Sequence, residues 1–314
     1  MLATMFQVKR VGELHDYVGC TVLRTRREKK VLFYQGDLID WLEKDFSYEL
    51  ENVKKKSTPA VPREIIMRPQ EGDIKLSENE QGKYCSGVGM LLYLVKFLQP
   101  DIANSVQELS KVMDGATTRH LKCLWRLMKY VLDTKKKCLM MDLTGKSGSN
   151  NEDLNDEWSM KAFCDSDYAG DKDTRISVTG FIIYINGAAI SWRSRGQKNV
   201  TLSSTEAEYV AVSEVCAEIM FMKQVMEFLQ MKMNLPILVN VDNVGAIYLA
   251  SNATTSQRTR HIDVRYHFVR NYMEEGTVKI IFVRSEDNDA DVFTKNVGEQ
   301  VYAKHTVKFM DEKE

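Results

Sequence analysis

The sequence predicts an α/β (α+β) protein: a mixed five-stranded sheet with flanking helices in its second half, preceded by a smaller, mostly helical region. Three observations predict it. Strand-like apolar runs recur between residues 160 and 192, and a tight-turn dipeptide joins two of them. From there to residue 283 helical and strand-like stretches alternate, the pattern of a sheet covered by helices. Ahead of this, residues 84–135 carry apolar side chains at helical spacing.

Each element can be placed in order. A short strand (Tyr17 to Leu23), a charged turn (Arg24–Lys30), a strand (Val31–Tyr34) and a helix through Leu38, Trp41 and Leu42 make up residues 1–50. Residues 51–83 are charged, hold three of the five prolines and keep no period, as a linker or long surface loop does. In the helical region 84–145, Leu91, Leu94 and Leu98 share one face. A helix restarts at Pro100 with Ile102, Val106 and Leu109, and a third carries Leu124, Leu127, Met128 and Val131. Residues 146–157, rich in Gly, Ser and Asn, form a second linker.

The main domain is expected over 158–297, followed by a tail over 298–314. Strands Met160–Cys164, Val178–Ile185 and Ala188–Trp192 open it, the last two joined by Asn186-Gly187. A long helix from Thr205 to Leu229 follows, with Thr205 and Glu208 at capping-box spacing and Tyr209, Val212, Cys216, Ile219 and Val225 on its apolar face. Then come strand Ile237–Val241, helices from Val244 and over Val264–Met273, strand Val278–Val283 and a short helix from Ala290.

Composition narrows the classes of function. Hydrophobic residues (44%) and charged residues (28%) fall in the globular range. A net charge of −1 excludes an overall basic field and leaves a local basic patch as the route to nucleic acid. Cys20, Cys85, Cys123, Cys138, Cys164 and Cys216 lie at no metal-ligand spacing and are expected as reduced thiols. Apolar runs such as Gly89–Val95 are too short for a bilayer and no secretory signal is visible. The expectation is an intracellular protein, cytoplasmic or nuclear, without a membrane partner.

Four carboxylates fall where this topology gathers side chains. Asp165 ends the first strand, Glu208 sits in the first turn of the long helix, Asp242 ends the fourth strand and Asp291 opens the last helix. Singly, each reads as a helix N-terminal charge or a solvated strand end. Together they would repel, and hard divalent cations answer that need. Two Mg²⁺ ions, with Mn²⁺ as a substitute, can activate water and stabilise a leaving oxygen.

Phe163-Cys164-Asp165-Ser166-Asp167-Tyr168-Ala169-Gly170-Asp171 resembles the opening strand of the RNase H domain in Ty1/copia-type retrotransposon Pol polyproteins. Ala189-Ile190-Ser191-Trp192, Leu202 to Tyr209, Val241-Asp242-Asn243 with Ala246-Ile247, Thr259 to His267 and Ala290 to Lys295 continue that pattern in order. The resemblance implies an RNase H-like fold and the catalytic, metal-binding set Asp165, Glu208, Asp242 and Asp291. It also implies two-metal hydrolysis of the RNA strand of RNA–DNA hybrids. Val11-Gly12-Glu13-Leu14, Tyr17-Val18-Gly19, Tyr84 to Tyr93 and Gln99 to Ala103 resemble the end of the same polyprotein's reverse transcriptase. The paired aspartates of a polymerase occur nowhere in this chain. DNA synthesis is therefore not expected of it alone, and the missing polymerase portion becomes a candidate partner. Departures are Cys85 for an Arg, Leu98-Gln99 before Pro-Asp-Ile, and Asn296 for a Pro.

For substrate binding, Arg193 and Arg195 with Lys198, and Arg260 and Arg265 with Arg258 and Arg270, are candidates to meet phosphates. Ser204 and Asn243, beside proposed ligands, are candidates to touch 2′-hydroxyls. Met220, Met222 and Met226 read as core. The alternative function is a catalytically idle, truncated retroelement remnant that at most binds nucleic acid. A third reading is another nuclease of the same superfold, such as an integrase or a junction resolvase, against which the motif order argues.

Overall fold

The computed structural model describes residues 12–25, 30–142, 157–251 and 263–313. The charged-turn residues 26–29, the linker residues 146–156 and the segment from Arg258 to Ile262 lie outside them.

The first part holds strands β1 (Asp16–Tyr17), β2 (Cys20–Thr25) and β3 (Lys30–Tyr34), and helices α1 (Gly36–Asp45), α2 (Ser47–Leu50), α3 (Glu78–Phe97), α4 (Ala103–Ser110) and α5 (Thr118–Asp133). Strand β4 (Lys137–Asp142) and the C-terminal strand β12 (Met310–Glu312) complete an antiparallel sheet in the order β1-β2-β3-β4-β12. The helical reading of 84–145 does not anticipate β4, whose six residues show no alternation of burial. Ser77 and Glu80 form a reciprocal capping box at the start of α3. In α1 the buried positions are Ile39 and Leu42, while Trp41 faces solvent.

The second part holds β5 (Glu157–Trp158), β6 (Met160–Asp167), β7 (Val178–Ile185), β8 (Ala188–Gly196), α6 (Ser204–Phe228), β9 (Lys232–Met233), β10 (Ile237–Val241), α7 (Val244–Ser251), α8 (Asp263–Glu274) and β11 (Val278–Phe282). A mixed five-stranded sheet runs β11-β10-β6-β7-β8. Strands β6, β7 and β8 are antiparallel, and β10 and β11 run parallel to β6. The β7–β8 turn is made by Asn186 and Gly187, both at positive φ (48° and 88°), the geometry that favours this dipeptide. Parallel neighbours need long crossovers, and α6 and the α7–α8 pair supply them.

Both faces of this sheet are covered, and β7 is buried at all eight positions. On one face Ala162, Cys164, Phe181 and Ile183 pack against Tyr209, Val212, Cys216 and Ile219 of α6. On the other, Phe163, Ile182 and Tyr184 share a core with Leu94, Leu98, Ile102 and Val106 of the first part. Trp192 Nε1 on β8 donates to the Val95 carbonyl of α3 at 2.7 Å. In α6 the buried stripe ends on Met226, with Met220 and Met222 also in the core, while Val225 is exposed.

Residues 51–77 form no long regular element, yet their backbone is bonded to the helices behind them. Arg126 donates to the Thr58 and Ala60 carbonyls, and Ile66 N–H donates to Glu108 at 2.9 Å. Thr117 N–H donates to His120 Nδ1, so the His120 Nε2–H is free to donate to the Met67 carbonyl at 2.9 Å. Burial, the largest effect, lowers the His120 pKa, in keeping with a neutral ring.

Residues 298–314, expected as a tail, instead contribute α9 (Glu299–Thr306) and β12. Tyr302, Phe309 and Met310 enter the shared core because their apolar area has no other cover. The Tyr302 hydroxyl meets Asp101 Oδ2 at 3.0 Å and the Tyr130 hydroxyl at 2.8 Å, and Lys137 Nζ stands 3.6 Å from Asp101. The tail thereby closes over a buried polar network.

Leu94, fully buried in the shared core, is the place to weigh this packing. Leu94→Ala should lower unfolding stability by about 2–5 kcal/mol, with no change in the slope against denaturant, in urea titrations followed by circular dichroism.

Candidate active site

The site is assembled by register. Asn240 on β10 stands beside Phe163 on β6. Asp165 lies two residues further along β6, and Asp242, just past the end of β10, comes close to it. Helix α6 brings Glu208 over the same strand ends, where its Oε1 accepts from Ser166 N–H at 3.2 Å. One carboxylate oxygen from each of Asp165, Glu208 and Asp242 lies within 4.8 Å of the others. Asp165 and Glu208 are only 2% and 5% exposed.

The start of α6 differs from its predicted form in a way that matters. The N-cap is Ser203, which accepts from Glu206 N–H at 3.1 Å, and Glu206 in turn accepts from Leu202 N–H at 2.8 Å. Capping therefore falls to Ser203 and Glu206 in place of Thr205 and Glu208. Glu208, one turn deeper, is left to face the cluster.

Asp291 lies in a 3₁₀ turn (Asp289–Phe293) and does not open the last helix. Asn288 fixes that turn twice, accepting from Ala290 N–H at 3.1 Å and donating to the Cys164 carbonyl at 3.0 Å. Asp289 is buried beneath it and is met by Tyr184 (3.2 Å), His305 (2.8 Å) and Lys308. The turn lies over Gly180, the partner of Asp165 across the β6–β7 ladder. A Cβ at Gly180 would come within 2.6 Å of Thr294 Cγ2 and 3.0 Å of the Phe293 carbonyl carbon. The bare glycine makes room for Thr294, whose hydroxyl donates to Asp165 Oδ2.

Four side chains at or behind the cluster have roles in the fold that the sequence reading does not assign. Lys295 Nζ lies 3.1 Å from Asp291 Oδ1 and 3.4 Å from Asp165 Oδ2. The (i, i+4) spacing from Asp291 was a signal that could have found it. Thr294 and Ser285, the latter donating to Asp242 Oδ2 at 2.6 Å, have no such signal because tertiary packing alone brings them in. Asn296, a departure from the family pattern, is a hydrogen-bonding centre. It donates to the Glu64 carbonyl at 2.7 Å, accepts from Asn104 and Ser105, and its own carbonyl takes Arg63 N–H.

Charge crowding shows in the titration of the cluster. Burial first, then Asp165 and Asp242, push the Glu208 carboxyl from 4.5 up to about 9. Burial and Asp165 push Asp291 up to about 6 against the opposing pull of Lys295. Burial also raises Asp242, with the Ser285 hydrogen bond pulling the other way. At Lys295 burial works against the charge, but Asp165 and Asp291 outweigh it and hold the ammonium above its ordinary range.

The residues fit divalent cations. Oxygen ligands from carboxylates suit a hard ion, and Glu208 Oε2 is buried without a hydrogen-bond partner. A buried carboxyl oxygen left bare is costly, and a divalent ion is a partner that would satisfy it.

The candidate substrate residues differ in their surroundings. Ser204 is exposed at the first position of α6. Asn243 Oδ1 accepts from Ala246 N–H at 3.0 Å and so caps α7. Arg193 is engaged by Glu218 at 3.2 Å and lies over the Phe181 ring, whereas Arg195 is exposed on β8. Arg265 belongs to the first turn of α8, and Arg260 lies outside the described residues.

No protein-family profile matches the chain. Individual relatives do. The retrovirus-related Pol polyprotein from transposon TNT 1-94 of Nicotiana tabacum is 31% identical over 308 residues, 94% of this chain and 21% of the relative. The corresponding polyprotein from transposon RE1 of Arabidopsis thaliana is 32% identical over 294 residues, 94% of this chain and 19% of the relative. A solved RNase H1 isolated from compost covers 47% of this chain and 98% of its own, at 14% identity and a TM-score of 0.30. This chain belongs to the retrovirus-related Pol polyproteins of copia-type transposons. It spans about a fifth of the length of the relatives named here.

The raised Glu208 pKa sets a pH dependence for the metal-free protein. A carboxyl raised on folding stabilises the fold fully below its unfolded value, and that contribution is lost as pH rises through the folded value. Without divalent ions, the urea midpoint should fall between pH 4.5 and about 9. Glu208→Gln should flatten that fall, as a pH series of urea titrations on both proteins will read.

Proposed function

We propose that the chain is an RNase H-like endonuclease that hydrolyses the RNA strand of RNA–DNA hybrids. The observation that carries this reading is the convergence of Asp165, Glu208 and Asp242 within 4.8 Å, joined through Lys295 to Asp291. The polyprotein relatives supply the retroelement context. When bound, two Mg²⁺ ions supply Lewis acidity, a hydroxide nucleophile at neutral pH and stabilisation of the leaving oxygen.

The chain's own groups do the rest. Asp165, Glu208, Asp242 and Asp291 would hold the ions. Ser285 and Thr294 fix the rotamers of Asp242 and Asp165 by donating to one oxygen of each. Ser166 N–H orients Glu208 in the same way. At the rim, Ser204 and Asn243 offer polar contacts to the 2′-hydroxyls that separate RNA from DNA. Arg195, Arg265 and Arg260 offer positive charge to phosphates, and Arg193 joins them on release from Glu218. Without paired aspartates the chain does not polymerise DNA by itself, and the polymerase portion of a retroelement polyprotein is its natural partner. Residues 158–297 carry the chemistry, in a protein we place inside the cell, cytoplasmic or nuclear. No helix among the described residues is long and apolar enough to cross a membrane.

Purified full-length chain should cut the RNA of a labelled hybrid in Mg²⁺ or Mn²⁺, leaving 3′-hydroxyl and 5′-phosphate ends, and should stop when the metal is chelated. Asp165→Asn and Asp242→Asn should each lower cleavage by roughly 10³-fold, as the loss of several kcal/mol of metal-borne stabilisation implies, with circular dichroism unchanged. An uncut hybrid at high enzyme concentration, with metal present, sinks the proposal and favours the idle remnant.

A further inference from the structure

The four carboxylates do not form one pocket. Asp165, Glu208 and Asp242 converge, and Glu208 Oε2 within that trio is buried and bare. Asp291 pairs instead with an ammonium, because Lys295 Nζ stands between Asp291 Oδ1 (3.1 Å) and Asp165 Oδ2 (3.4 Å). Asp165 thus serves both halves, with its Oδ2 already shared by Thr294 and Lys295. One half needs a cation and has none from the chain, while the other has a cation built in.

Two positive charges cannot share a position a few ångströms wide. Lysine can yield, since its ammonium is a point charge on a flexible stem, and this side chain is 42% exposed, which leaves it a path to solvent. We propose that Lys295 is a resident occupant of the second cation position. Divalent ions then load in sequence: the first enters the Asp165–Glu208–Asp242 pocket, and the second settles between Asp165 and Asp291 only as Lys295 swings out. This inference rests on the nuclease reading of the same carboxylates and specifies how they are charged.

The test is calorimetric titration of Mn²⁺ into the full chain without nucleic acid. Wild type should take one ion per chain, with a second at least roughly tenfold weaker, as repulsion from a nearby ammonium dictates. Lys295→Met should tighten the second ion about tenfold without weakening the first, and Lys295→Arg should keep the wild-type pattern. Two ions of equal affinity in wild type overturn the proposal, as does a Lys295→Met isotherm that superimposes on wild type. If Lys295→Met fails to fold, Asp291→Asn decides: the first ion should bind with unchanged affinity, and its loss overturns the proposal. A folded wild-type chain that binds no Mn²⁺ removes the nuclease reading itself. A chain that cuts hybrid yet binds two equal ions removes only the sequential loading.

Discussion

Everything in this molecule depends on burying the mixed sheet on both faces. A strand such as β7, apolar or small along most of its length and buried at every position, is unstable against water on either side. Helix α6 covers one face. The first part of the chain, with its helices and its own sheet, covers the other. The two parts are therefore not beads joined by a linker. Each supplies a wall the other lacks, and the C-terminal residues seal the joint by pairing β12 with β4 and seating Tyr302 beside Asp101.

The site inherits its character from that burial. The carboxyls of Asp165 and Glu208 are buried, shut in by α6 and by the turn at Asp291. The protein keeps them close at the cost of repulsion, relieved in part by Lys295 and in part by raised proton affinity. Within the trio, Glu208 Oε2 is buried without a hydrogen-bond partner, which suits it to a cation. The supporting contacts are local and cheap: Ser285 on Asp242, Thr294 on Asp165, and a missing side chain at Gly180 that lets Thr294 approach.

Much of this was legible beforehand. The strands of the mixed sheet, the Asn186-Gly187 hairpin and the long helix all follow from periodicity and turn chemistry, which act over a few residues. What failed was of another kind. The cap of α6 shifted to Ser203 because Ser203–Glu206 has the same spacing as Thr205–Glu208, and a pattern cannot say which of two overlapping pairs wins. Trp41 and Val225 sit on helical faces that look apolar in sequence but remain exposed in the fold. Asn296 is a departure from the family pattern in the sequence, yet in the fold it bridges the 51–77 segment to α4.

The sequence by itself determined the strands and the long helix of the mixed sheet, the absence of a polymerase aspartate pair and the four candidate carboxylates, because these are set by local pattern and composition. Only the tertiary structure decided that three of those carboxylates share a pocket while the fourth is bridged by Lys295. It also decided that the N-terminal half walls one face of the sheet and that the last residues form a helix and strand. The reason is that strand register and burial are long-range properties: they bring together residues more than a hundred positions apart, such as Asp165 and Thr294, whose meeting no short window of sequence encodes.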